Sequence, residues 1–182
     1  VENVEGKNLY FLKVGDLTMF SLEEGEARFK AGDIVDFDID FTKVGIEALG
    51  VAPINLTNTL DGTFTKEKDK SRKFYNFYMS VGSAKLIPTV PACEKIFACK
   101  GSKIFRTPLE YIFDASVVTV TPHEEGATDV LTGTASEIRD YGFVRYATID
   151  TEGQKVVAAY DGAVGDHVDL HVPAESIVIK DK

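Results

Sequence analysis

The sequence is poor in the features that mark membrane, fibrous and disordered proteins. Its 182 residues include 6 prolines, 44% hydrophobic and 27% charged residues, which are ordinary values for a folded globular protein. No window approaches the roughly 18 consecutive apolar residues of a membrane-spanning helix. Membrane-spanning, collagen-like, coiled-coil and disordered classes are therefore excluded, and the length suits one good core or a few small ones. Because the chain starts at Val1 without a basic and apolar leader, we expect a processed form or a segment of a longer protein.

Motifs of catalysis are also lacking. The sequence contains no Gly-x-Ser-x-Gly nucleophile elbow, no Gly-x-x-x-x-Gly-Lys phosphate loop, no Gly-x-Gly-x-x-Gly dinucleotide motif and no His-Glu-x-x-His metal motif. Only three histidines are present to act as general bases. We therefore expect a protein without enzymatic activity and without a cofactor.

Only two cysteines, Cys93 and Cys99, are present, and both lie in PACEKIFACK. This segment, residues 91–100, is predicted to form a short helix, with Pro91 in its first turn and Gly101 just past its end. Six helical residues separate the thiols by about 9 Å along the axis and place them on different faces, which disfavours a disulfide between them. We expect buried free thiols, and these favour a reducing, cytoplasmic compartment.

The dominant hydrophobic periodicity is two residues, as in β-strands. In GDIVDFDIDF, apolar residues alternate with Asp36, Asp38 and Asp40, which predicts a half-buried strand whose aspartates face water. Further short strands are predicted at residues 73–81, 110–120, 141–149, 154–160 and 167–172. Strands this short and frequent predict an all-β fold of tandem small five-stranded barrels of the oligonucleotide/oligosaccharide-binding (OB) type. The alternative is a single β-sandwich.

A faint repeat divides the chain into three units. The segments ENVEGKN, TNTLDGTFT and TDVLTGTAS each place an Asn or Asp, an apolar residue and a glycine ahead of a strand. Gly6, Gly62 and Gly133 are predicted to be equivalent. We expect OB-like units at residues 1–56, 57–126 and 127–182.

Charge is segregated along the chain, although the total of −9 is acidic. The local net charge is −6 over residues 1–60, +5 over 61–110 and −8 over 111–182. The acidic total argues against a chain whose whole surface binds nucleic acid. The basic middle, by contrast, indicates a local partner surface, and the acidic outer units could dock to protein partners.

Two predicted strands carry arginine and aromatic residues on the same face. In the second unit the alternation assigns Tyr75, Phe77, Met79 and Val81 to the core, and the outward set is Arg72, Phe74, Asn76 and Tyr78. In the third unit the corresponding set is Arg139, Tyr141, Phe143 and Arg145. Rings that stack on bases, flanked by cations that neutralise phosphates, are what single-strand binding requires. These eight residues are the candidate nucleic-acid site, and the alternative is that the aromatic residues fill a small barrel.

Metal binding has two candidate sets, each on one face of a strand. The first set is His167, Asp169 and His171, which could supply imidazole and carboxylate ligands. The second set is Asp36, Asp38 and Asp40, which offers oxygen ligands alone, as calcium requires. Because the alternate positions of both strands are apolar, a water-facing surface explains these residues more simply. We therefore expect no metal.

Several segments resemble cold-shock domains. Residues 133–135 open a strand, residues 141–146 (YGFVRY) carry a Gly-Phe motif of the RNA-contact type, and residues 165–170 match the family's late Gly-x-x-Val-x-Phe strand. In the first unit, residues 32–37 followed by 43–51 resemble the family's ending. The resemblance implies barrels that bind single-stranded RNA, in chains of domains such as those of translational regulators.

This sequence also departs from the cold-shock pattern. The family's second contact motif carries Phe and His, but the corresponding residues 156–160 read VVAAY. The first unit has no Gly-Phe motif. These departures limit the expected RNA contact to the strand faces that carry Arg and aromatic residues. The alternative that the units bind protein instead stays open.

A second family fits nearly as well. Residues 58–63 (NTLDGT) and 129–134 (DVLTGT) resemble the start of the transport-associated OB barrels at the end of ABC-transporter ATPases. Residues 168–179 (VDLHVPAESIVI) resemble their closing strand, although Val172 stands where an Arg usually precedes the proline. This resemblance implies barrels that sense or regulate rather than bind nucleic acid.

From these observations we predict a non-enzymatic protein that binds single-stranded RNA or DNA weakly through the Arg and aromatic faces of the second and third units. One alternative is a transport-associated barrel that serves as a regulatory or ligand-sensing module of a transporter. The other is a structural or assembly subunit that docks to protein partners.

Overall fold

The computed structural model describes residues 2–54, 56–141 and 144–182. These residues form mostly β-strands with one short α-helix, which confirms the predicted all-β fold class. The strands make three five-stranded sheets. Contacts divide the chain into two compact units, the first made of residues 2–54 with Tyr141 and the second of residues 56–140 with 144–182. No helix within the described ranges is long and apolar enough to cross a membrane.

The first unit contains one sheet. Its strands are β1 (Glu2–Val4), β2 (Lys7–Val14), β3 (Leu17–Glu24), β4 (Val35–Thr42) and β5 (Gly45–Pro53). They lie in the order β1-β2-β3-β5-β4 and are antiparallel, except for a short parallel contact between β3 and β5. Alternate residues face a small core formed by Tyr10, Leu12, Met19, Ala48 and Val51. The Tyr10 hydroxyl accepts a hydrogen bond from the Arg28 backbone N–H at 2.9 Å, which ties the loop after β3 to this core.

Strand β4 departs from the predicted burial. Its aspartates are exposed as predicted, and Val35 and Phe37 are half-buried. Ile39 and Phe41, however, are 53% and 75% exposed. The strand lies at the edge of the sheet and its register shifts after Asp36, so its second half leaves the core. The prediction that the whole apolar face of this strand is buried is therefore wrong for two residues.

The second unit contains two sheets and the helix. Its elements are β6 (Thr57–Lys68), β7 (Tyr75–Val81), β8 (Ala84–Leu86), α1 (Val90–Lys100), β9 (Leu109–Asp114), β10 (Thr119–Pro122), β11 (Leu131–Asp140), β12 (Arg145–Thr151), β13 (Gln154–Ala159), β14 (His167–His171) and β15 (Val178–Asp181). The middle sheet has the order β15-β9-β6-β7-β8, and the third sheet has the order β10-β14-β11-β12-β13. Neighbouring strands in these two sheets pair antiparallel.

The middle and third sheets exchange their last strands. β9 and β14 are each followed by a short 3-10 turn, Ala115–Val117 and Ala174–Ser176, and the strand after each turn joins the other sheet. β10 therefore pairs with β14, and β15 pairs with β9. This exchange crosses the boundary expected after residue 126, and the division into three units stays a prediction.

The run 110–120, predicted as one strand, is two strands in different sheets. The Asp114 carboxylate accepts a hydrogen bond from the Ser116 backbone N–H at 2.8 Å, which stabilises a turn at this point. The Ala115 N–H donates to the Leu56 carbonyl at 2.7 Å, so the turn is also held from outside. Alternating hydrophobicity continues through the turn, which is why the sequence pattern did not reveal it.

Gly62 and Gly133 occupy equivalent places in two long strands. The first half of β6 pairs with β9 and the second half with β7, and the change falls at Gly62. β11 changes from β14 to β12 beside Gly133. A Cβ at either glycine would overlap a backbone carbonyl oxygen, that of Ser80 or of Asp150. Gly6 instead lies in a β1–β2 turn with open space around it, so its predicted equivalence to the other two is wrong.

One hydrophobic core joins the middle and third sheets. Its buried residues come from both, among them Leu60, Phe64, Tyr111, Leu131, Ile149 and Leu170. The side chain of Asn58, which is 4% exposed, also bridges the sheets. Its amide donates to the Val157 carbonyl at 2.9 Å and its oxygen accepts from the Val157 N–H at 2.8 Å. The two sheets are therefore linked by polar as well as apolar contacts.

The predicted helix is confirmed as α1. The Thr89 hydroxyl accepts a hydrogen bond from the Ala92 N–H at 3.2 Å at its start, and Gly101 with a φ of +54° follows its end. Cys93 is half-buried and Cys99 exposed, and both are free thiols. The expectation of buried thiols is therefore wrong for Cys99.

Candidate functional site

The middle and third sheets border a groove of about 540 Å³, here called the inter-sheet groove. Its lining includes Tyr78, Ser83, Lys85, Asp129, Thr132 and Glu152. The turn at residues 82–83 joins β7 to β8, and the turn at residues 152–153 joins β12 to β13. These are equivalent hairpins of the repeat, and the packing of the two sheets brings their turns together.

Hydrogen bonds cross the inter-sheet groove at two points. The Glu152 carboxylate accepts from the Ser83 hydroxyl at 2.6 Å and from the Ser83 N–H at 3.0 Å. These two bonds hold the pKa of Glu152 below its ordinary value. Asp129 accepts from the Ile87 N–H at 2.6 Å. Both carboxylates are exposed and have further acceptor positions for a ligand.

Tyr78 and Lys85 form the wall of the groove on the middle sheet. The Lys85 ammonium lies 5.7 Å from the centroid of the Tyr78 ring and forms an ion pair with Glu67. The wall therefore offers an aromatic ring and a cation whose charge is already partnered. Together with the two carboxylates, this lining suits hydrogen bonding to a small polar molecule.

The candidate nucleic-acid residues of the second unit lie on the hairpin between β6 and β7. Arg72 lies in the connecting turn and Phe74 just before β7. Phe74 is 71% exposed, and Arg72 and Asn76 are exposed as well. Tyr78 is half-buried and lines the inter-sheet groove instead. The structure therefore places three of the four candidates on the exposed part of this hairpin.

The prediction of which residues of this hairpin face the core is correct for three of the four residues. Met79 and Val81 are buried and Phe77 packs against the core, as predicted. Tyr75 is 51% exposed, so its assignment to the core is wrong. The Lys66 ammonium lies 4.9 Å from the centroid of the Tyr75 ring, and this cation–π contact at the surface replaces core packing.

The candidate residues of the third unit do not form one stripe. Arg139 pairs with Glu137 at 3.0 Å. The Arg145 guanidinium donates to the carbonyls of Asp161 at 2.8 Å and Gly162 at 3.2 Å, and so holds the loop after β13. Tyr141 groups with the first unit, where it lines an apolar groove of about 500 Å³. Phe143 lies outside the described residues.

Asp169, one of the metal candidates, is engaged in hydrogen bonds inside the protein. It is 1% exposed and accepts from His123 Nδ1 at 2.8 Å, from the Glu124 N–H at 2.9 Å and from the Thr132 hydroxyl at 2.8 Å. Burial alone raises the pKa of Asp169, but the hydrogen bonds outweigh burial and hold the pKa below its ordinary value.

The other two metal candidates, His167 and His171, lie too far apart to share an ion. They lie four positions apart along the strand, which is about 13 Å. His171 Nε2 is hydrogen-bonded to the Thr121 hydroxyl at 2.9 Å, whereas the His167 ring lies against His123. In the part of the chain that the structure describes, no group of three or more His, Cys, Asp or Glu residues is arranged to hold a metal ion.

Sequence reasoning missed the inter-sheet groove. Ser83 and Glu152 belong to no motif and are 69 residues apart, so only tertiary packing brings them together. The signal that points to the groove is the repeat of residues 58–63 and 129–134, because it implies two equivalent hairpins that can face each other.

Comparison with known proteins supports the fold. No family model matches the chain, and no curated protein matches it. The structure is similar to a crystal structure of the cytoplasmic molybdate-binding protein ModG with molybdate bound, with a TM-score of 0.52 and 14% sequence identity. The match covers 71% of this chain and 99% of that chain. At this identity the likeness shows the fold alone, which is all-β and OB-like.

Proposed function

We propose that residues 56–182 form a non-enzymatic, ligand-sensing module of the transport-associated barrel type. The observation that carries the proposal is the inter-sheet groove, which both sheets line and which hydrogen bonds cross. A ligand that replaced these bonds would change how firmly the sheets are joined, which is the response that a sensor requires. The fold of ModG, which binds molybdate, supports this function over nucleic-acid binding. Two free thiols, one of them exposed, support a reducing compartment.

The lining of the groove favours a neutral, hydroxyl-rich ligand over an oxyanion. Asp129 and Glu152 carry two negative charges, and the positive charge of Lys85 is already paired with Glu67. A bound oxyanion would meet net repulsion from these carboxylates. Carboxylates accept hydrogen bonds from the hydroxyls of a sugar, and the Tyr78 ring offers an apolar face for its C–H groups. A monosaccharide is therefore the proposed ligand class.

Calorimetric titration of the full chain tests this proposal. The probes are glucose, galactose, mannose, ribose and sodium molybdate. We expect at least one sugar to bind, with affinity at least tenfold weaker in Glu152→Gln and in Tyr78→Ala. Glu94→Gln, on the exposed face of α1, is the matched control and should bind like the wild type.

Two results would contradict the proposal. One is that no sugar binds to the wild type at millimolar concentration. The other is that molybdate binds and that Glu152→Gln strengthens its binding, because the groove would then accept an oxyanion against the charge of its lining. Thermal unfolding of each variant shows whether a loss of binding reflects a loss of folding.

The exposed tip of the β6–β7 hairpin favours a second candidate function, weak binding of single-stranded nucleic acid. Phe74 is its most exposed ring, and the cations close to it in the sequence are Lys68, Lys70, Arg72 and Lys73. An exposed ring among cations can stack on a base while the cations neutralise phosphates. This tip lies in the segment whose local net charge is +5.

Fluorescence anisotropy with a labelled oligothymidylate at low salt tests this second function. We expect Phe74→Ala and Arg72→Ala each to weaken binding about fivefold or more, and binding to weaken as salt rises. Lys103→Ala, at another exposed lysine, is the control. Equal binding by the wild type and by a variant that carries both Phe74→Ala and Arg72→Ala would contradict a role for the hairpin tip.

A further inference from the structure

His123 and His167 lie side by side because of the strand pairing. β10 and β14 are antiparallel with Pro122 opposite Val168, and the His123 N–H donates to the His167 carbonyl at 3.1 Å, so the pairing continues by one residue. Directly opposite residues of an antiparallel pair carry Cβ atoms about 4.5–5.5 Å apart on one face. The centroids of the two imidazole rings are accordingly 4.4 Å apart.

Asp169 determines which nitrogen of His123 remains free. His123 Nδ1 donates to the Asp169 carboxylate at 2.8 Å, and this carboxylate is also held by the Glu124 N–H and the Thr132 hydroxyl. With its proton on Nδ1, the neutral ring has an unprotonated Nε2. A carboxylate behind an imidazole fixes the tautomer and the orientation of the ring, an arrangement typical of metal-binding histidines.

Both imidazoles are accessible from solvent. The His123 side chain is 33% exposed and His167 is exposed. His167 Nδ1 lies 3.5 Å from the Thr134 hydroxyl, which is too long for a strong hydrogen bond. An ion about 2.1 Å from one nitrogen of each ring would place the ring centroids roughly 5 Å apart, which is close to the observed 4.4 Å.

We propose that His123 and His167 form an open binding site for a divalent transition-metal ion of the zinc, nickel or copper class. These ions prefer imidazole ligands, and water would complete the coordination. Asp169 acts as a positioning residue behind His123. Because it has two protein ligands, the site is open, in contrast to a closed structural site with four. The sequence predicts no metal, and the site also differs from the candidate set found there, since His123 replaces His171 and Asp169 lies behind a ligand.

Calorimetric titration of the full chain with zinc chloride and with copper chloride tests the site. We expect one ion to bind to the wild type and at least tenfold weaker binding in His123→Ala and in His167→Ala. His171→Ala is the matched control, since it removes an exposed histidine of β14 and leaves both cysteines in place. In NMR spectra, the ring signals of His123 and His167 should shift with added zinc while those of His171 stay unchanged.

Asp169→Asn tests the positioning role separately. We expect it to weaken metal binding about tenfold while both imidazoles remain. Because this substitution is buried, its folding is checked first by circular dichroism, and the two exposed histidine variants test the site without it. The proposal is overturned if the wild type binds neither ion at millimolar concentration, or if His171→Ala weakens binding as much as His123→Ala. Unchanged affinity in folded Asp169→Asn would overturn the role of the carboxylate.

Discussion

The middle and third sheets share a common arrangement of strands, here called the framework, and differ in the elements that each sheet adds to it. Each has a long strand that changes partner at a glycine, a hairpin after it, and a strand that leads through a 3-10 turn into the other sheet. The middle sheet adds the helix α1 and the basic hairpin tip. The third sheet adds the cluster of His123, which follows β10, with His167 and Asp169 of β14. The shared parts form the core, whereas the hairpin tip and His167 are exposed, so these exposed parts and the junction between the sheets are where binding is expected.

One pair of equivalent positions shows the difference most clearly. Asp169 lies opposite Thr132, next to Gly133, and Glu110 lies opposite Asp61, next to Gly62. Asp169 is buried under the loop that begins at His123, whereas Glu110 is half-buried and lies opposite Lys180 of the exchanged strand. The same place in the framework therefore holds a buried hydrogen-bonded acid in one sheet and a more solvated acid in the other.

The largest expected effect comes from the two glycines of the framework. Gly62→Ala and Gly133→Ala should each lower the free energy of unfolding by about 3 kcal/mol, because the new methyl group overlaps backbone in a packed core. Gly153→Ala, where the backbone has a positive φ but the space is open, should cost about 1 kcal/mol. Urea denaturation measures all three. If only one of the two framework glycines were costly, the equivalence of the sheets would be wrong.

The next effect concerns the polar bridges between the sheets. Asn58→Ala should lower the free energy of unfolding by about 2 kcal/mol, because it removes a buried side chain and leaves the part-buried N–H and carbonyl of Val157 without these partners. Asp129→Ala, at the equivalent position of the third sheet, removes one exposed hydrogen bond to Ile87 and should cost about 1 kcal/mol. Denaturation curves at the same pH compare them. A larger loss for Asp129→Ala would reverse the assigned importance of the two bridges.

A smaller, pH-dependent effect distinguishes Asp169 from Glu110. Asp169→Asn should lower the free energy of unfolding by about 1.5 kcal/mol at pH 7, the range of hydrogen bonds to a charged group. The folded-state pKa of Asp169 lies below the unfolded value of about 3.9. The stabilisation by the Asp169 carboxylate is therefore complete above the unfolded pKa and is lost as pH falls through the folded pKa. The free energies of unfolding of the wild type and of Asp169→Asn should therefore become equal in acid.

Glu110→Gln is the matched control for that comparison. Its carboxylate is half-buried at the sheet surface, so the expected change is below about 0.5 kcal/mol. Acid titrations of both variants, followed by circular dichroism, give the measurement. An Asp169→Asn difference that grew toward pH 3 would show that the carboxylate destabilises the fold, contrary to this account.

The smallest expected effect on stability is at the hairpin tip. Phe74→Ala and Arg72→Ala should change the free energy of unfolding by less than about 0.5 kcal/mol, because both side chains are exposed. The measurement is thermal unfolding beside the wild type. A loss above about 1 kcal/mol would mean that this addition is part of the framework after all.

The sequence was sufficient for the elements that local patterns determine. Alternation predicted the all-β class, Pro91 and Gly101 bounded the helix, and the repeated motif found Gly62 and Gly133. It was not sufficient where distant residues decide. Strand exchange depends on pairing between sheets, and the exposure of Phe41 depends on β4 lying at an edge.

The candidate sites show the same limit. Alternation correctly placed Phe74 outside, because the hairpin is local. Alternation could not predict that Arg145 donates a hydrogen bond to a carbonyl of the loop after β13, 16 residues away. Nor could it predict the hydrogen bond from His123 to Asp169, 46 residues away. A charged residue on a strand looks the same in sequence whether it meets solvent, a loop carbonyl or a buried acid.

The most direct test of the ligand-sensing module is an NMR titration of the full chain with the sugar that binds best. We expect the backbone amide signals of residues 83–87 and 127–132 to shift together, since all of these residues except Leu86 and Leu131 line the inter-sheet groove. Signals of residues 70–76 at the hairpin tip should remain unchanged. Shifts confined to residues 70–76, or to the first unit, would contradict the account.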